Sequence, residues 1–357
     1  MPSIAHVAQI ELGADTGMGR VALAWREEFE QRGWQFIHVG SDRLPGLHPA
    51  RFPIAAFSHC RRLRPRPDGF LVHEPAGAPF LVERRRLVVF SHGLERRAWQ
   101  SLRRSRLNGS QPALKSRLLF PLWRLLPADL ALGGARAVLA LNSEDAETLR
   151  TRYRRRPEDV FLFRNGVQTV VSPSHDASSP PTVLFIGSWL ERKGVSTLTG
   201  AAETVATRLP DVRFLVAGTG AGRERVLADW PSAVRDRVEV VPRFEPEDEL
   251  HLYSRGDVFV LPSVYEGQPL ALLQAMAAGL CCVAADTAGI RDLIQHELNG
   301  LLHPVGDAGA LAQCIVRTLG DRNLRAQLAA NARLSVAGRS WPEVSQEVID
   351  FVLAAIA

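Results

Sequence analysis

Short apolar runs alternate with amphipathic stretches along the whole chain, and this alternation is the first indication of the fold. In the first half, the runs that predict buried strands are residues 4–10, 35–39, 70–73, 87–91, 138–141 and 160–163. In the second half, the corresponding runs are residues 182–186, 213–217, 238–241, 258–261 and 281–284. Such alternation is typical of parallel sheets that are covered by helices on both faces. The pattern therefore predicts an α/β fold with a parallel sheet in each half.

Helical periodicity and a polar segment divide the chain into predicted domains. Helices are predicted near residues 195–208, 247–254 and 270–279, and three more end the chain at about 307–319, 321–337 and 342–356. Residues 168–181 are rich in Ser and Pro and lack periodicity, so they are predicted to link two domains. The predicted domains are residues 1–167 and 182–341, followed by a C-terminal helix within 342–357.

Length and composition favour an ordinary soluble protein. A chain of 357 residues suffices for two domains that each bury a core, and its 46% hydrophobic and 23% charged residues are typical of globular proteins. No basic stretch followed by an apolar run begins the sequence, so secretion is not expected and the protein is predicted to be cytoplasmic. The four cysteines lack the spacing of zinc or redox motifs and are interpreted as buried thiols in a reducing cytosol.

The two halves of the chain differ in the sign of their net charge. The first 170 residues hold 27 Lys and Arg against 16 Asp and Glu, and the remainder holds 16 against 22. This segregation predicts that the first half faces something anionic, either the inner membrane surface or an acidic acceptor; solvated arginine-rich faces are the alternative. Residues 115–127 combine basic with Leu, Phe and Trp side chains, which suits a membrane interface or a helix beside the acceptor. No nucleic-acid partner is expected.

Residues 262–279 carry the most informative motif of the sequence. Glu266 precedes a turn, and Gly267 lets the backbone come close to a ligand. The helix predicted from Leu270 leaves its first N–H groups unpaired, and such a helix end attracts anions. Gln274 lies one turn further along, where its amide can reach back toward the same ligand. The motif predicts a nucleotide-sugar site; an ordinary Leu-rich and Ala-rich core helix is the alternative.

A second motif spans residues 185–194. A buried strand ends at Gly187, and the cations Arg192 and Lys193 follow a few residues later. Two cations after a parallel strand can neutralise a diphosphate that gains charge as it leaves. The motif predicts a phosphate site, and a surface turn with solvated cations is the alternative.

A third motif, residues 11–24, follows the first strand and opens the first helix. Gly17 and Gly19 would let the backbone approach a donor phosphate. Together with Gly13 they also fit the glycine spacing of short-chain dehydrogenases. Those enzymes need a Tyr followed four residues later by Lys, and no tyrosine of this chain meets that condition. The nicotinamide interpretation is therefore rejected.

Histidines follow two of the predicted strands in the first half. His92 comes directly after the run 87–91, at the carboxyl edge of a parallel sheet where ligands bind, and His73 is the last residue of the run 70–73. We interpret His92 as a functional residue and assign less weight to His73. A strand-end histidine bonded to the backbone is the alternative for both.

The motif over residues 262–279 resembles the donor-binding signature of the retaining glycosyltransferases of family 4. In that family a Glu, seven intervening residues and a second Glu stand where this chain has Glu266 and Gln274. The 185–194 motif is similar to the family's as well, with Gly187 and Lys193 in place, but Ser188 stands where the family usually has Arg. The resemblance covers nearly the whole chain and is strongest over residues 181–305.

The resemblance implies the GT-B fold, in which two Rossmann-like domains have parallel sheets that face a central cleft and the C-terminal helix crosses back to the first domain. It also implies a retaining glycosyltransferase that moves a sugar from a nucleotide diphosphate sugar to an acceptor glycan, lipid or small molecule. Neither a metal ion nor a cofactor beyond this donor substrate is expected, because cations and the helix end take the metal's place.

The resemblance assigns catalytic roles to three residues. Lys193 would stabilise the leaving diphosphate, Glu266 would accept hydrogen bonds from sugar hydroxyls, and His92 would lie near the reacting face. The expected donor-binding residues are Gly17, Gly19, Gly187, Ser188, Arg192, Lys193, Phe244, Glu266, Gly267, Gln268, Leu270, Ala271 and Gln274. In this set Phe244 would meet the base, Gln274 the ribose, and Arg192 would compensate for Ser188.

Two other functions remain open from the sequence. A GT-B enzyme could instead epimerise a nucleotide-sugar, which an acceptor-free assay of donor conversion would reveal. A lapsed enzyme could serve as a sugar-nucleotide-binding subunit, and the departures at Ser188 and Gln274 motivate this alternative.

Overall fold

The computed structural model describes residues 1–13, 16–104, 119–168 and 180–357. The chain forms two compact units. The first takes Met1–Gln100, the described part of Gln111–Gly166, and Arg339–Ala357. The second takes Val167–Gly338 and the described start of Ser101–Ser110. The predicted boundaries at residues 167 and 341 lie within three residues of these divisions, and residues 169–179 of the predicted linker lie outside the described residues.

A parallel sheet organises the first unit. Its strands are β1 (Ser3–Val7), β2 (Gln35–Val39), β3 (Gly69–His73), β4 (Leu87–Phe90), β5 (Ala137–Ala140) and β6 (Val160–Leu162). They are ordered β2-β1-β3-β4-β5-β6, and every neighbouring pair is parallel. The central strands are buried on both faces because alternate residues enter two cores: Ala5 and Val7 join one, and Ile4 joins the other.

Helices cover both faces of this sheet. They are α1 (Gly17–Gln31), α2 (Phe52–Arg62), α3 (Glu95–Arg104), α4 (Leu126–Gly134) and α5 (Ser143–Thr151). The side chain of Thr16 caps α1 and that of Asn142 caps α5, so each helix begins where a polar side chain accepts an early N–H.

The second unit repeats the plan. Its strands are β7 (Thr182–Ile186), β8 (Arg213–Ala217), β9 (Val238–Val241), β10 (Val258–Leu261), β11 (Cys281–Ala285) and β12 (Leu301–His303). They form a parallel sheet in the order β12-β11-β10-β7-β8-β9. The helices are α6 (Val195–Arg208), α7 (Arg223–Ala228), α8 (Glu249–Ser254), α9 (Leu270–Ala277), α10 (Ala288–Arg291), α11 (Ala308–Gly320) and α12 (Arg322–Ser335).

The chain ends in α13 (Trp341–Ile356), which belongs to the first unit. Ser340 and Glu343 form a capping box that fixes its start. The helix packs against α1, and Phe351 stacks on Phe161 at a ring distance of 5.0 Å. The last helix therefore completes the core of the first unit.

The prediction of an α/β fold with two parallel sheets is confirmed, with two corrections. Strand β1 ends at Val7, since the chain turns before Ile10, whose carbonyl accepts a hydrogen bond from the N–H of Ser41. Residues 301–303 form β12, a strand that the pattern of apolar runs did not predict and that pairs with β11. Three residues are too few for a periodic signal. Within the described ranges, no helix is both long enough and apolar enough to cross a bilayer.

Candidate active site

The turn that carries Arg192 and Lys193 is built around Gly194. Strand β7 ends at Ile186, a short 3-10 turn spans Glu191–Lys193, and Gly194 adopts a left-handed φ of 72° before α6 begins. A Cβ at this position would lie 1.9 Å from the carbonyl oxygen of Pro262. Glycine is therefore required both by the backbone conformation and by the close approach of the next loop.

That next loop, residues 262–269, brings Glu266 to the two cations. The N–H of Val264 donates to the carbonyl of Arg192 at 2.9 Å and joins the loop to the turn. Nζ of Lys193 lies 2.7 Å from Oε1 of Glu266, and Nη1 of Arg192 lies 3.6 Å from Oε2. The hydroxyl of the buried Ser263 donates to Oε1 at 2.8 Å. The structure thus brings Arg192, Lys193 and Glu266 together beside the start of α9.

The carboxylate of Glu266 is buried but ionised. Burial raises the pKa of this carboxyl, yet the charges of Lys193 and Arg192 and the hydrogen bonds from Lys193 and Ser263 outweigh burial and hold its pKa below the usual 4.5. An ionised carboxylate only accepts hydrogen bonds, so this group is suited to bind hydroxyl groups of a ligand.

A contact that the sequence reasoning missed supports the Glu266 loop from behind. A Cβ at Gly289, in α10, would lie 1.7 Å from the carbonyl oxygen of Gly267, and the N–H of Gly289 donates to the carbonyl of Glu266 at 3.3 Å. Only a glycine allows this approach.

Helix α9 begins at Leu270 without a side-chain cap. Pro269 occupies the N-cap position with φ −74°, and within the described residues the helix start has no side-chain cap hydrogen bond. Leu270 and Ala271 are half-buried there, whereas Gly267 and Gln268 are buried in the preceding loop. The helix start therefore keeps the anion-attracting character that the sequence predicted.

Gln274 has a partner that the sequence did not predict. Its Oε1 accepts from the N–H of Gln168 at 3.2 Å, and its Nε2 donates to the carbonyl of the same residue at 3.3 Å. Both ends of the amide are thus bonded to the backbone. The expected contact with a ribose would require this pair of hydrogen bonds to be exchanged.

Phe244, Gly187 and Ser188 lie near the ends of β7 and β8. The ring of Phe244 covers Gly218, where a Cβ would lie 3.0 Å from the ring. A Cβ at Gly187 would lie 3.8 Å from Cε of Lys193, so this glycine borders the lysine. Ser188 is exposed and its carbonyl accepts from the N–H of Leu190.

Gly17 and Gly19 lie in the first unit, at the start of α1. The N–H of Gly19 donates to Oγ1 of Thr16 at 3.0 Å, and a Cβ on Gly19 would lie 2.1 Å from the carbonyl oxygen of Gly13. The loop itself thus explains the glycine at 19, whereas Gly17 is exposed. Residues 14 and 15 of this motif lie outside the described residues.

His92 lines a cavity of about 360 Å³ in the first unit, whose polar lining includes His73, Glu74, Glu95 and Arg124. Burial lowers the pKa of His92 to about 3, so its ring is neutral. Its Nε2 lies 2.8 Å from Nδ1 of His73, and it is therefore bonded to a second histidine rather than to the backbone. Glu74, which the sequence reasoning missed, accepts hydrogen bonds from the hydroxyl of Ser91 and the N–H of Glu95.

Comparison with known proteins finds a family match over part of the chain. A family model described as "Glycosyl transferases group 1" matches residues 180–321. The GDP-mannose-dependent alpha-mannosyltransferase of Mycobacterium tuberculosis is 35% identical over 170 residues, which are 47% of this chain and 42% of that protein. The chain spans less than two thirds of the length of the curated relatives that it matches.

Solved structures establish the fold over nearly the whole chain. Sucrose-phosphate synthase from Thermosynechococcus elongatus superposes with a TM-score of 0.82 at 21% identity and covers 99% of both chains. Anabaena HepE in complex with UDP-glucose superposes with a TM-score of 0.70 at 18% identity, again over 99% of both chains. Residues 180–321 therefore match the glycosyl transferases group 1 family, and the chain has the GT-B fold.

Proposed function

We propose that this protein is a retaining glycosyltransferase that moves a sugar from a nucleotide diphosphate sugar to an acceptor. The observation that carries the proposal is the cluster of Lys193, Arg192 and Glu266 beside the uncapped start of α9. Positive charge and free helix N–H groups suit a diphosphate, and an ionised carboxylate suits sugar hydroxyls. HepE, whose structure contains UDP-glucose, supports a donor of this class.

In the proposed reaction the second unit binds the donor. Lys193 and Arg192 hold the diphosphate and stabilise the negative charge that develops as its bond to the sugar breaks. Arg192 supplies the second cation that the family usually has at position 188. Glu266 orients the sugar, Phe244 packs against the base, and Gln274 releases the backbone of Gln168 to bind the ribose.

The first unit is proposed to bind the acceptor in the cavity lined by His92. Both charge signs line this cavity, since Arg124 pairs with Glu95 while Glu74 is buried next to it. Such a lining can hydrogen-bond to several hydroxyls of a polar acceptor. His92 would then contact the acceptor or the transferred sugar.

We further propose that the first unit contacts an anionic membrane surface. Leu122, Leu126 and Leu130 are exposed at intervals of four residues, about one turn each, so they share one side of the helical stretch that ends at Gly134; Leu119 is exposed before them. The excess of cations over residues 1–170 suits anionic lipid headgroups around this apolar stripe.

The experiment incubates the purified protein with UDP-, GDP- and ADP-sugars, with and without extracted glycan and lipid acceptors, and measures released nucleoside diphosphate. Transfer predicts release that requires an acceptor, and the anomeric coupling constant of the product, measured by NMR, should equal that of the donor. Donor conversion without acceptor would instead indicate an epimerase. Binding without conversion under every condition would indicate a lapsed subunit, and an inverted product would contradict retention.

A further inference from the structure

Four histidines form a row along the carboxyl ends of four adjacent strands in the first unit. His38 belongs to β2, His6 to β1 and His73 to β3, while His92 follows β4. The strand order β2-β1-β3-β4 places them in this same sequence across the sheet. Because they come from distant parts of the chain, only the sheet topology brings them together.

Hydrogen bonds connect the whole row. Nδ1 of His38 lies 2.9 Å from Nδ1 of His6, Nε2 of His6 lies 2.7 Å from Nε2 of His73, and Nδ1 of His73 lies 2.8 Å from Nε2 of His92. Each inner ring uses both of its nitrogens for other rings. Among the described residues, no group of three or more His, Cys, Asp or Glu is arranged to hold a metal ion, so the row is a hydrogen-bonded chain.

The far end of the row fixes the direction of every hydrogen bond. Nε2 of His38 lies 3.2 Å from the carbonyl oxygen of Ile10, and a carbonyl only accepts, so this nitrogen carries a hydrogen. A neutral imidazole has one donor and one acceptor, so Nδ1 of His38 accepts from Nδ1–H of His6. By the same argument Nε2–H of His73 donates to His6, and Nε2–H of His92 donates to His73.

The same hydrogen-bond directions determine which nitrogen of His92 carries hydrogen at the cavity. With Nε2 of His92 as the donor, its Nδ1 is left with a lone pair. Within the described part of the chain this Nδ1 has no hydrogen-bond partner, and it is not sealed from solvent. Burial lowers the pKa of His6, His38, His73 and His92 below the usual 6.5, which agrees with four neutral rings.

We propose that His92, His73, His6 and His38 form a reversible proton relay whose tautomers are set by the carbonyl of Ile10. The relay rests on the proposed transfer reaction. The acceptor oxygen loses its proton to Nδ1 of His92 as it bonds to the anomeric carbon, and the bond from that carbon to the diphosphate breaks with its electron pair on the diphosphate. His92 passes its Nε2 proton to His73, His73 passes its own to His6, and His6 protonates Nδ1 of His38.

The charge then rests at the end of the row that is remote from the cavity. Burial lowers the pKa of His38, and Arg43 adds to this, but Oδ1 of Asp42 lies 3.7 Å from its Nε2 and favours an imidazolium there. At the cavity end the neighbouring titratable groups are Glu74, Glu95 and Arg124, and burial and the charge of Glu95 raise the pKa of Glu74 to about 8. After the product leaves, the proton returns along the row and leaves through the cavity, which restores the original tautomers.

Gly40 makes the end of the row possible. A Cβ at this position would lie 2.2 Å from both Nε2 of His38 and the carbonyl oxygen of Ile10. Any side chain at position 40 would separate these two atoms. Gly40→Ala therefore removes the interaction that fixes the tautomers without replacing a histidine.

The first measurement is nitrogen NMR of the full chain with labelled histidine, with signals assigned through single His→Gln variants. The relay predicts hydrogen on Nδ1 of His6 and on Nε2 of His38, His73 and His92. His6 is decisive, because free imidazole rings favour hydrogen on Nε2. In Gly40→Ala the His6 signals should become a mixture of tautomers, whereas His251→Gln, at an exposed position of the second unit, should leave all four unchanged. Hydrogen on Nε2 of His6 in the unaltered protein would overturn the relay.

The second measurement uses His38→Gln. A glutamine can donate to Ile10 and accept from His6, so it preserves the tautomers, yet it cannot take up a proton. The relay predicts unchanged His6 signals, an unchanged KM for the donor and a kcat that is lower by about tenfold or more, with an altered pH profile. An unchanged kcat and pH profile would overturn the relay. If no donor and acceptor pair reacts, the proposed function fails separately, while the NMR result still tests the fixed tautomers.

Discussion

Lys193 is one of only two lysines in a chain that has 41 arginines, so its residue type does not follow from the composition. Its ammonium shares Oε1 of the buried Glu266 with the hydroxyl of Ser263. A compact ammonium on a flexible stem fits this shared oxygen, whereas a guanidinium favours two parallel hydrogen bonds to both oxygens. The proposed binding of a diphosphate would thus suit a point charge that can turn between a carboxylate and a phosphate.

Glu74 provides a prediction at the residue scale. Burial and the charge of Glu95 raise the pKa of this carboxyl from 4.5 to about 8, so the folded protein retains a proton that the unfolded chain has lost. The stabilisation is complete below pH 4.5 and is lost as the pH rises through 8. Relative to Glu74→Gln, the free energy of unfolding should fall by up to about 1.4 kcal/mol per pH unit across that interval. Urea unfolding of both proteins at a series of pH values measures this difference. If the free energies of unfolding of the two proteins change with pH in parallel, the raised pKa of Glu74 is contradicted.

At the residue scale the sequence predicted the charged residues of the site but not their hydrogen-bond partners. Glu266, Lys193 and Arg192 were recognised from two motifs, and the structure brings them together. Ser263 was not assigned a role, and the hydrogen bonds of Gln274 to Gln168 span 106 positions of sequence. The row of four histidines likewise forms only because of the strand order in the first sheet, which a local sequence pattern does not encode.

At the scale of elements, two loops act as one support for the site. The turn before α6 and the loop before α9 meet at Gly194 and Pro262, and the start of α10 meets the second loop at Gly289. Close backbone contacts therefore bring the loop that carries Glu266 to the turn that carries Lys193.

Gly194→Ala tests this support. The new Cβ would collide with the carbonyl of Pro262, and alanine would have to adopt a left-handed φ. We therefore expect a loss of stability of about 1–3 kcal/mol or more and weaker donor binding. Gly320→Ala is the control, because no atom of the described residues lies within 4 Å of the added Cβ and Gly320 is the last residue of α11. The control should keep the affinity for the donor, and its free energy of unfolding should rise by up to about 1 kcal/mol. Equal behaviour of the two variants in thermal melts and donor titrations would contradict the role of Gly194.

Most elements could be predicted because long parallel strands are continuous apolar runs. Strand β12 was missed because it has three residues, and the start of α8 was placed early because Pro246–Asp248 forms a 3-10 turn before it. Short elements of this kind depend on pairing and packing more than on their own residues.

At the scale of the whole molecule, the opposite charges of the two halves suggest different surroundings. The proposed membrane contact predicts that the protein sediments with vesicles that contain anionic lipid and dissociates as salt rises. The double variant Leu122→Ser and Leu126→Ser should bind about tenfold more weakly, because it removes apolar area from the exposed stripe. Leu334→Ser, at an exposed position of the second unit, is the control. Equal binding to neutral and anionic vesicles would contradict the proposal.

The most direct test of the central claim compares the affinities of a nucleoside diphosphate and of the same nucleoside by calorimetry. UDP, GDP and ADP are screened first, and the tightest is carried forward. Lys193→Ala is combined with Glu266→Gln so that no buried carboxylate is left unpaired, and Glu266→Gln alone and the surface variant Arg225→Ala serve as controls. If Lys193 holds the diphosphate, the advantage of the diphosphate over the nucleoside should fall by about tenfold to a hundredfold in the double variant and remain in both controls. An advantage of unchanged size in the double variant would contradict the account.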